Sequence, residues 1–413
     1  MPILFPKRDA VETPMKLKRL PEDFRVEELP AVQPGASGRF VFYRLDKTGL
    51  GTFEAIEAIR RRWNLAADSI RHGGLKDRHA QTIQYLTILD GPERPLHQEH
   101  LQLEPLGRLP HPYGPGSFSG NRFEIVLRDL SESALERAER AIDRCKIDGL
   151  PNYFDDQRFG SLGDSGEFIA RAWLAGNPER ALFLAIAEAT PLDRPETRDI
   201  KKILREHWND WPTLKAKLPR SSERSLITYL VDHPLDFAGA FARSRRDLRS
   251  IQFSAYQSQL WNLVLARILE RETDERDRVM IEFKSGRLPF PLNFNADTRE
   301  RFETLRIPLP SARSKIPEDP FLREPIDAVL KSENLEWNDL RIKKLKDLFL
   351  SKGERPALFF PRSITREGLD DELYTGRRKL KLSFELSKGS YATIIVKRAT
   401  VAAKDEEHSR NSP

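Results

Sequence analysis

The sequence predicts an α+β protein, a strand-bearing domain interrupted by a mostly helical block. Three observations carry that expectation. Runs rich in β-branched and aromatic residues at 39–45, 83–89 and 123–128 read as strands. From about Ser161 the apolar spacing changes to the helical period, most plainly over residues 253–270. Strand alternation returns at Leu382, Phe384 and Leu386. The expected divisions are therefore 1–160, a helical insertion over 161–355, final strands over 356–401 and a frayed polar tail over 402–413.

Length and charge narrow the classes. At 413 residues the chain can bury a sizeable core, and length alone points to two or three domains. Hydrophobic residues at 39% with charged residues at 32% describe a globular protein with a heavily charged surface. A net charge of +6, 69 Lys+Arg and a pI near 9.2 suit a polyanionic partner. Basic clusters recur, among them Lys16-Lys18-Arg19, Arg60-Arg61-Arg62, Lys343-Lys344-Lys346 and Arg377-Arg378-Lys379. Singly, each reads as a solvated helix face. Their dispersion suits a long, curved polyanion better than one small phosphate. The single cysteine, Cys145, rules out an internal disulfide and multi-thiolate zinc sites and points to a reducing compartment. Without a signal-like start or an uncharged run of membrane-spanning length, the expected location is cytoplasmic.

Taken in order, residues 1–15 carry Pro and mixed charge and read as a loosely attached start. Pro21-Glu22-Asp23 makes a turn, and Phe24, Val26 and Leu29 open a short strand. After the strand at 39–45, Gly49-Leu50-Gly51-Thr52 introduces a helix with Phe53, Ile56, Ile59 and Trp63 at helical spacing and Thr52 as its N-cap. The Gly-Lys-Ser/Thr of a phosphate-binding loop is absent, so no nucleoside triphosphate site is expected. His97 and His100 lack a third ligand nearby and read as surface. Ser133 and Glu136 suggest a capping box for a helix with Leu135, Ala138 and Ile142 on its buried stripe. Within the helical block, 289–291 and 308–325 read as Pro-rich loops and 340–350 as a basic helix. Residues 387–390 turn the chain, and 391–397 are expected to return as the second strand of a hairpin.

Two stretches concentrate chemistry. In Gly73-Gly74-Leu75-Lys76-Asp77-Arg78-His79-Ala80-Gln81-Thr82-Ile83-Gln84, Asp77 stands between two cations that favour its ionised form, on a loop feeding a strand. A solvated turn with an ordinary surface ion pair is the alternative. In Pro151-Asn152-Tyr153-Phe154-Asp155-Asp156-Gln157-Arg158-Phe159-Gly160, amides that can read a base edge lie among rings that can stack on it. The competing reading is a loop with core aromatics and a structural amide.

Together with the Pro21–Phe24 turn and Gly389-Ser390-Tyr391-Ala392-Thr393, these motifs resemble the TruD family of tRNA pseudouridine synthases. The match is densest in Gly-x-Lys-Asp-Arg-x-Ala-x-Thr-x-Gln (Gly74 to Gln84) and Asn-Tyr-Phe-x-x-Gln-Arg-Phe-Gly (Asn152 to Gly160), with Gly120-Asn121-x-Phe123-x-Ile125-x-Leu127-Arg128 in support. The resemblance implies a pseudouridine-synthase catalytic domain with a mixed, mainly antiparallel sheet and a family-specific insertion. It implies isomerisation of uridine to pseudouridine at position 13 of tRNA, without cofactor or metal; a monomer is the default expectation. It makes Asp77 the catalytic carboxylate and puts Phe24, Asn152 and Tyr391 on positions that contact the target nucleoside. Lys18 then matches a basic active-site residue and Phe154 a ring lining the pocket. Two positions depart from the pattern. Asp155 stands where many relatives have Gly, which calls for a basic partner such as Arg158, and Tyr391 replaces a more frequent Phe. A non-catalytic RNA-binding protein on the same fold is the runner-up, and a hydrolase using Asp77, Asp155 and Asp156 as a metal site a third reading.

Overall fold

The structure, a computed structural model, describes residues 15–66, 68–76, 78, 80–190 and 193–404. The chain forms two compact units, residues 1–149 with 360–413, and residues 150–359. The first unit opens with β1 (Lys16–Leu17), β2 (Phe24–Pro30), β3 (Phe40–Thr48), α1 (Thr52–Trp63), β4 (Ile70–His72) and β5 (Gln81–Leu89). β6 (Leu96–Gln98), β7 (Leu101–Leu109), β8 (Phe118–Leu130) and α2 (Glu132–Asp148) complete its first part. The second unit starts at β9 (Leu150–Pro151) and continues through α3 (Ile169–Leu174), α4 (Pro178–Ile186), α5 (Pro195–Glu206), α6 (Trp211–Lys217), α7 (Ser222–Asp232) and α8 (Phe237–Ala242). Then come α9 (Arg246–Glu272), β10 (Arg278–Phe283), β11 (Gly286–Pro291), α10 (Ala296–Thr304), β12 (Arg306–Pro308), α11 (Pro320–Ser332), β13 (Glu354–Pro356) and β14 (Leu358–Phe359). The first unit resumes with β15 (Arg362–Asp370), β16 (Arg378–Ser387) and α12 (Ala392–Lys404).

A single sheet organises the first unit, in the order β15-β16-β8-β2-β5-β3-β7-β6, with β1 paired to β8 and β4 to β5. Every pairing is antiparallel except β2 with β5, which run parallel from Arg25 opposite Gln81. This is the mixed, mainly antiparallel sheet expected of the fold class. Alternation along β3 and β5 splits their side chains between two cores. Val41, Tyr43, Leu45, Leu86 and Ile88 pack with Ala55 and Ile59 of α1. Phe42, Ile83 and Tyr85 pack with Leu109, Tyr113 and Phe118.

The second unit is built on α9, a helix of 27 residues in which Tyr256, Leu260, Trp261, Val264, Leu265, Ile268 and Leu269 are fully buried. Several expectations fail locally. The segment 340–350 is not a helix. A short 3-10 turn at Trp337–Leu340 gives way to irregular backbone, with Lys344 at φ 66°, because its four leucines turn inward at uneven spacing. The Pro-rich stretch at 289–291 lies in β11, which hairpins with β10.

The terminal hairpin is also absent. After β16, Gly389 turns the chain at φ 86°, and residues 392–404 form α12. The β-branched Thr393-Ile394-Ile395-Val396 favours strand locally. Packing against α2 prevails, since Ile395, Ala399, Ala402 and Ala403 recur at helical spacing and are buried. Arg137 of α2 then donates to the carbonyls of Ala402 and Ala403, 3.1 and 2.7 Å away, and caps the C-terminal end of α12. The N-caps shift as well. Gly51 rather than Thr52 precedes α1, and Ser131 rather than Ser133 caps α2, accepting the Ala134 N–H at 3.2 Å. Among the described residues, no helix is long and apolar enough to cross a membrane.

Candidate active site

In the first unit the turn before β2 is shaped by one buried carboxylate. Asp23 accepts the backbone N–H groups of Arg19 and Leu20 at 3.0 and 2.9 Å, and this holds Lys18 in the left-handed region at φ 56°. The Lys18 Nζ then sits 4.0 Å from the centroid of the Phe24 ring, a cation–π contact. Asp23 itself is bound by Arg128 (Nη2 to Oδ1, 2.8 Å), which also reaches Asp371 at 2.9 Å, all three side chains being buried. The bond to Asp23 drives the Arg128 guanidinium further above its ordinary value, with burial opposing. Behind Phe24, the Phe123 ring meets it edge-on at 6.4 Å and stacks on Phe384 at 5.6 Å. Tyr391 is half-buried immediately before α12, and its carbonyl accepts the Ile394 N–H at 3.1 Å.

Asp77 and His79 lie outside the described residues. The positions flanking residue 77 are both anchored. Lys76 donates its backbone N–H to Thr52 Oγ1 at 2.9 Å, and its Nζ reaches Asn121 Oδ1 at 2.7 Å and Glu28 Oε1 at 3.1 Å. Glu28 has no exposed surface, and its other oxygen accepts from the Tyr113 hydroxyl at 2.8 Å and the Tyr85 N–H at 3.3 Å. Arg78 ties to Glu54 Oε1 at 2.8 Å and to the Gly49 carbonyl at 3.3 Å. Gly73 is required by space, because a Cβ there would lie 2.9 Å from the Phe118 ring and 3.1 Å from Glu28.

In the second unit the Asn152 loop is fixed with comparable density. Its amide Nδ2 donates to the Pro356 carbonyl at 3.1 Å, and its Oδ1 accepts from Arg355 Nη2 at 2.7 Å. Nε of Arg355 also reaches the Asn152 carbonyl at 2.7 Å, and its guanidinium lies over Phe154 at 4.2 Å and Trp261 at 5.3 Å. Asn262 of α9 clamps the Phe154 backbone, accepting its N–H and donating to its carbonyl, both at 2.8 Å. The side chain suggested as a partner for Asp155, Arg158, donates its Nε to Ser258 Oγ at 3.1 Å, while Asp156 accepts the Lys284 N–H at 2.6 Å.

The structure thus brings Lys18 to Phe24, and sets Arg355 against both Asn152 and Phe154. The anchors Glu28, Thr52 and Asn121, together with Arg355 and Asn262, escaped the sequence reading. Glu28 had a signal: a carboxylate that follows Phe24 and Val26 at the same two-residue step, on the buried alternation of β2. Arg355, some 200 residues from Asn152, had none.

A crystal structure from Methanosarcina mazei carrying the TruD description matches 95% of this chain and 95% of its own, with a TM-score of 0.73 at 26% identity. The fold is therefore that of the pseudouridine synthases. “Probable tRNA pseudouridine synthase D 1” of Methanococcus maripaludis is 32% identical over 396 residues, covering 93% of this chain and 99% of its own. “tRNA pseudouridine synthase D” of Aquifex aeolicus is 27% identical over 391 residues, 93% of this chain and 97% of its own. The family model for tRNA pseudouridine synthase D (TruD) matches residues 8–399, and the chain belongs to that family.

Proposed function

We propose that this protein isomerises uridine to pseudouridine in tRNA, at position 13, with Asp77 as the catalytic carboxylate. Family membership supports the reaction class. In that reaction the bond from C1′ to N1 breaks and one from C1′ to C5 forms, while the C5 proton is lost and N1 gains one. Atoms and oxidation state are conserved. The target nucleotide must leave its stack to be reached. A carboxylate either attacks C1′ or removes a sugar proton, and both roles need it ionised.

The observation that carries the assignment to residue 77 is the anchoring of both its neighbours. Lys76 is held by Asn121 and Glu28, and Arg78 by Glu54, side chains of separate elements. Phe24 supplies an aromatic ring for the uracil, with the Lys18 ammonium over that ring adding positive charge. Tyr391 offers a ring and a hydroxyl. For Asn152, whose Oδ1 accepts from Arg355, the role is to fix the edge of the detached base so that it rotates rather than escapes, and for Phe154 to supply a ring. The family-specific insertion, expected over 161–355, falls within the second unit, 150–359.

The test is direct. Purified protein incubated with unmodified tRNA forms pseudouridine, while Asp77→Asn abolishes turnover and still binds RNA. Equal conversion by both proteins removes Asp77 from the mechanism. Tight tRNA binding by the parent without conversion returns the non-catalytic reading.

A further inference from the structure

The segment from Leu340 to Leu350 has no regular secondary structure, yet it is firmly held. Leu340, Leu345, Leu348 and Leu350 turn inward with at most 7% exposure. The Trp173 indole N–H binds the Lys343 carbonyl at 3.1 Å, Ser311 binds that of Leu350 at 2.8 Å, and Arg249 pairs with Asp347 at 2.9 Å. What faces outward is Arg341, Lys343, Lys344, Lys346 and Phe349, whose ring is 56% exposed. The Arg313 guanidinium lies over that ring, 4.2 Å from its centroid.

What gathers here is a run of unpaired cations. Some exposed arginines of the unit pair with carboxylates, as Arg245 does with Asp247 and Arg287 with Glu282. Among the described residues, none of Arg313, Arg341, Lys343, Lys344 and Lys346 has one within 4 Å. Asp347 is committed to Arg249, and Asp339 accepts the Glu336 N–H at 2.9 Å. The segment also walls two depressions that share Arg341. One, of about 350 Å³, includes Arg313, Lys346 and Phe349, and the other, of about 170 Å³, includes Trp173, Asp339, Lys343 and Lys344.

We propose that this surface is a second RNA-holding site, which takes backbone phosphates on its unpaired cations and an unstacked base on Phe349. The chemistry is that of proteins that track a nucleic-acid backbone, a rigid cationic strip with an aromatic platform. Because the loop is already fastened, little ordering is needed on binding. The inference rests on tRNA being the substrate, and it assigns the surface to affinity rather than to the chemical step.

The experiment measures the affinity of the full-length protein for unmodified tRNA across a salt series, alongside steady-state kinetics. With Arg341, Lys343, Lys344 and Lys346 all changed to Ala, Kd should rise at least tenfold near physiological salt. The slope of log K against log[salt] should become shallower by about 3, since each lost phosphate contact removes about 0.7–0.9. KM should follow Kd while kcat stays within twofold. Phe349→Ala should weaken binding by about fivefold or more with the slope unchanged. A control removing the paired Arg245, Arg276, Arg287 and Arg306 should leave the slope within one unit of the parent. An unchanged Kd and slope in the quadruple variant, or an equal loss in the control, overturns the proposal. If the parent makes no pseudouridine, the functional reading fails, while the binding comparison still decides this surface.

Discussion

Glu28 is a fully buried carboxylate whose two oxygens are divided between Lys76 on one side and Tyr113 with Tyr85 on the other. Removing one member of a buried pair leaves the other uncompensated, which typically costs about 3–5 kcal/mol. Glu28→Gln should therefore lower the unfolding free energy by an amount of that order, read as a lower urea midpoint. It should also cut single-turnover uridine conversion more than tenfold, because Lys76 adjoins position 77. Full activity in a destabilised variant would disprove the anchoring role. Cys145 lies at the same scale. Burial, the largest cause, pushes its thiol up to about 12, so almost no thiolate forms at pH 8. Native protein should resist iodoacetamide at that pH and react once unfolded, as read by intact mass. The fold favours the protonated thiol, so its contribution to stability is complete below the unfolded value of about 8.5 and is lost as pH rises toward 12.

Elements are joined here by buried polar side chains as much as by apolar packing. Arg128 on β8 binds Asp23 in the turn before β2 and Asp371 after β15, with 3% of its side chain exposed. Arg128→Met strands both carboxylates and should cost about 3–5 kcal/mol, seen as a lower urea midpoint at unchanged slope. Asn262→Leu keeps the volume of α9 but orphans the N–H and carbonyl of Phe154. At about 1–3 kcal/mol for each unsatisfied group, the loss should be about 2–6 kcal/mol. Most strands of the first unit were legible because alternation faces two cores. α12 was not, because its β-branched start reads as strand until α2 is there to pack on. The Lys18–Phe24 pair was legible as two residues but not as a contact, since the left-handed turn at Lys18 depends on Asp23.

For the whole molecule, the second unit enters and leaves through adjacent strands. Leu150 of β9 pairs with Phe359 of β14, antiparallel partners that lie about 5 Å apart. Replacing residues 150–359 by a two-residue Gly-Ser link should thus leave the first unit able to fold with a cooperative thermal transition. It should abolish pseudouridine formation, since Asn152 and Phe154 go with the excised unit. Failure of the remaining chain to fold would show that the ten-stranded sheet depends on the insertion. The sequence by itself determined the family, the alternation of strands and helices and the residue types for the chemistry, because motif identity and periodicity are local. Only the tertiary structure decided that Glu28 anchors Lys76, that Arg355 orients Asn152 and that the last segment is a helix. Each of those depends on a partner far away in sequence, and no local pattern records it.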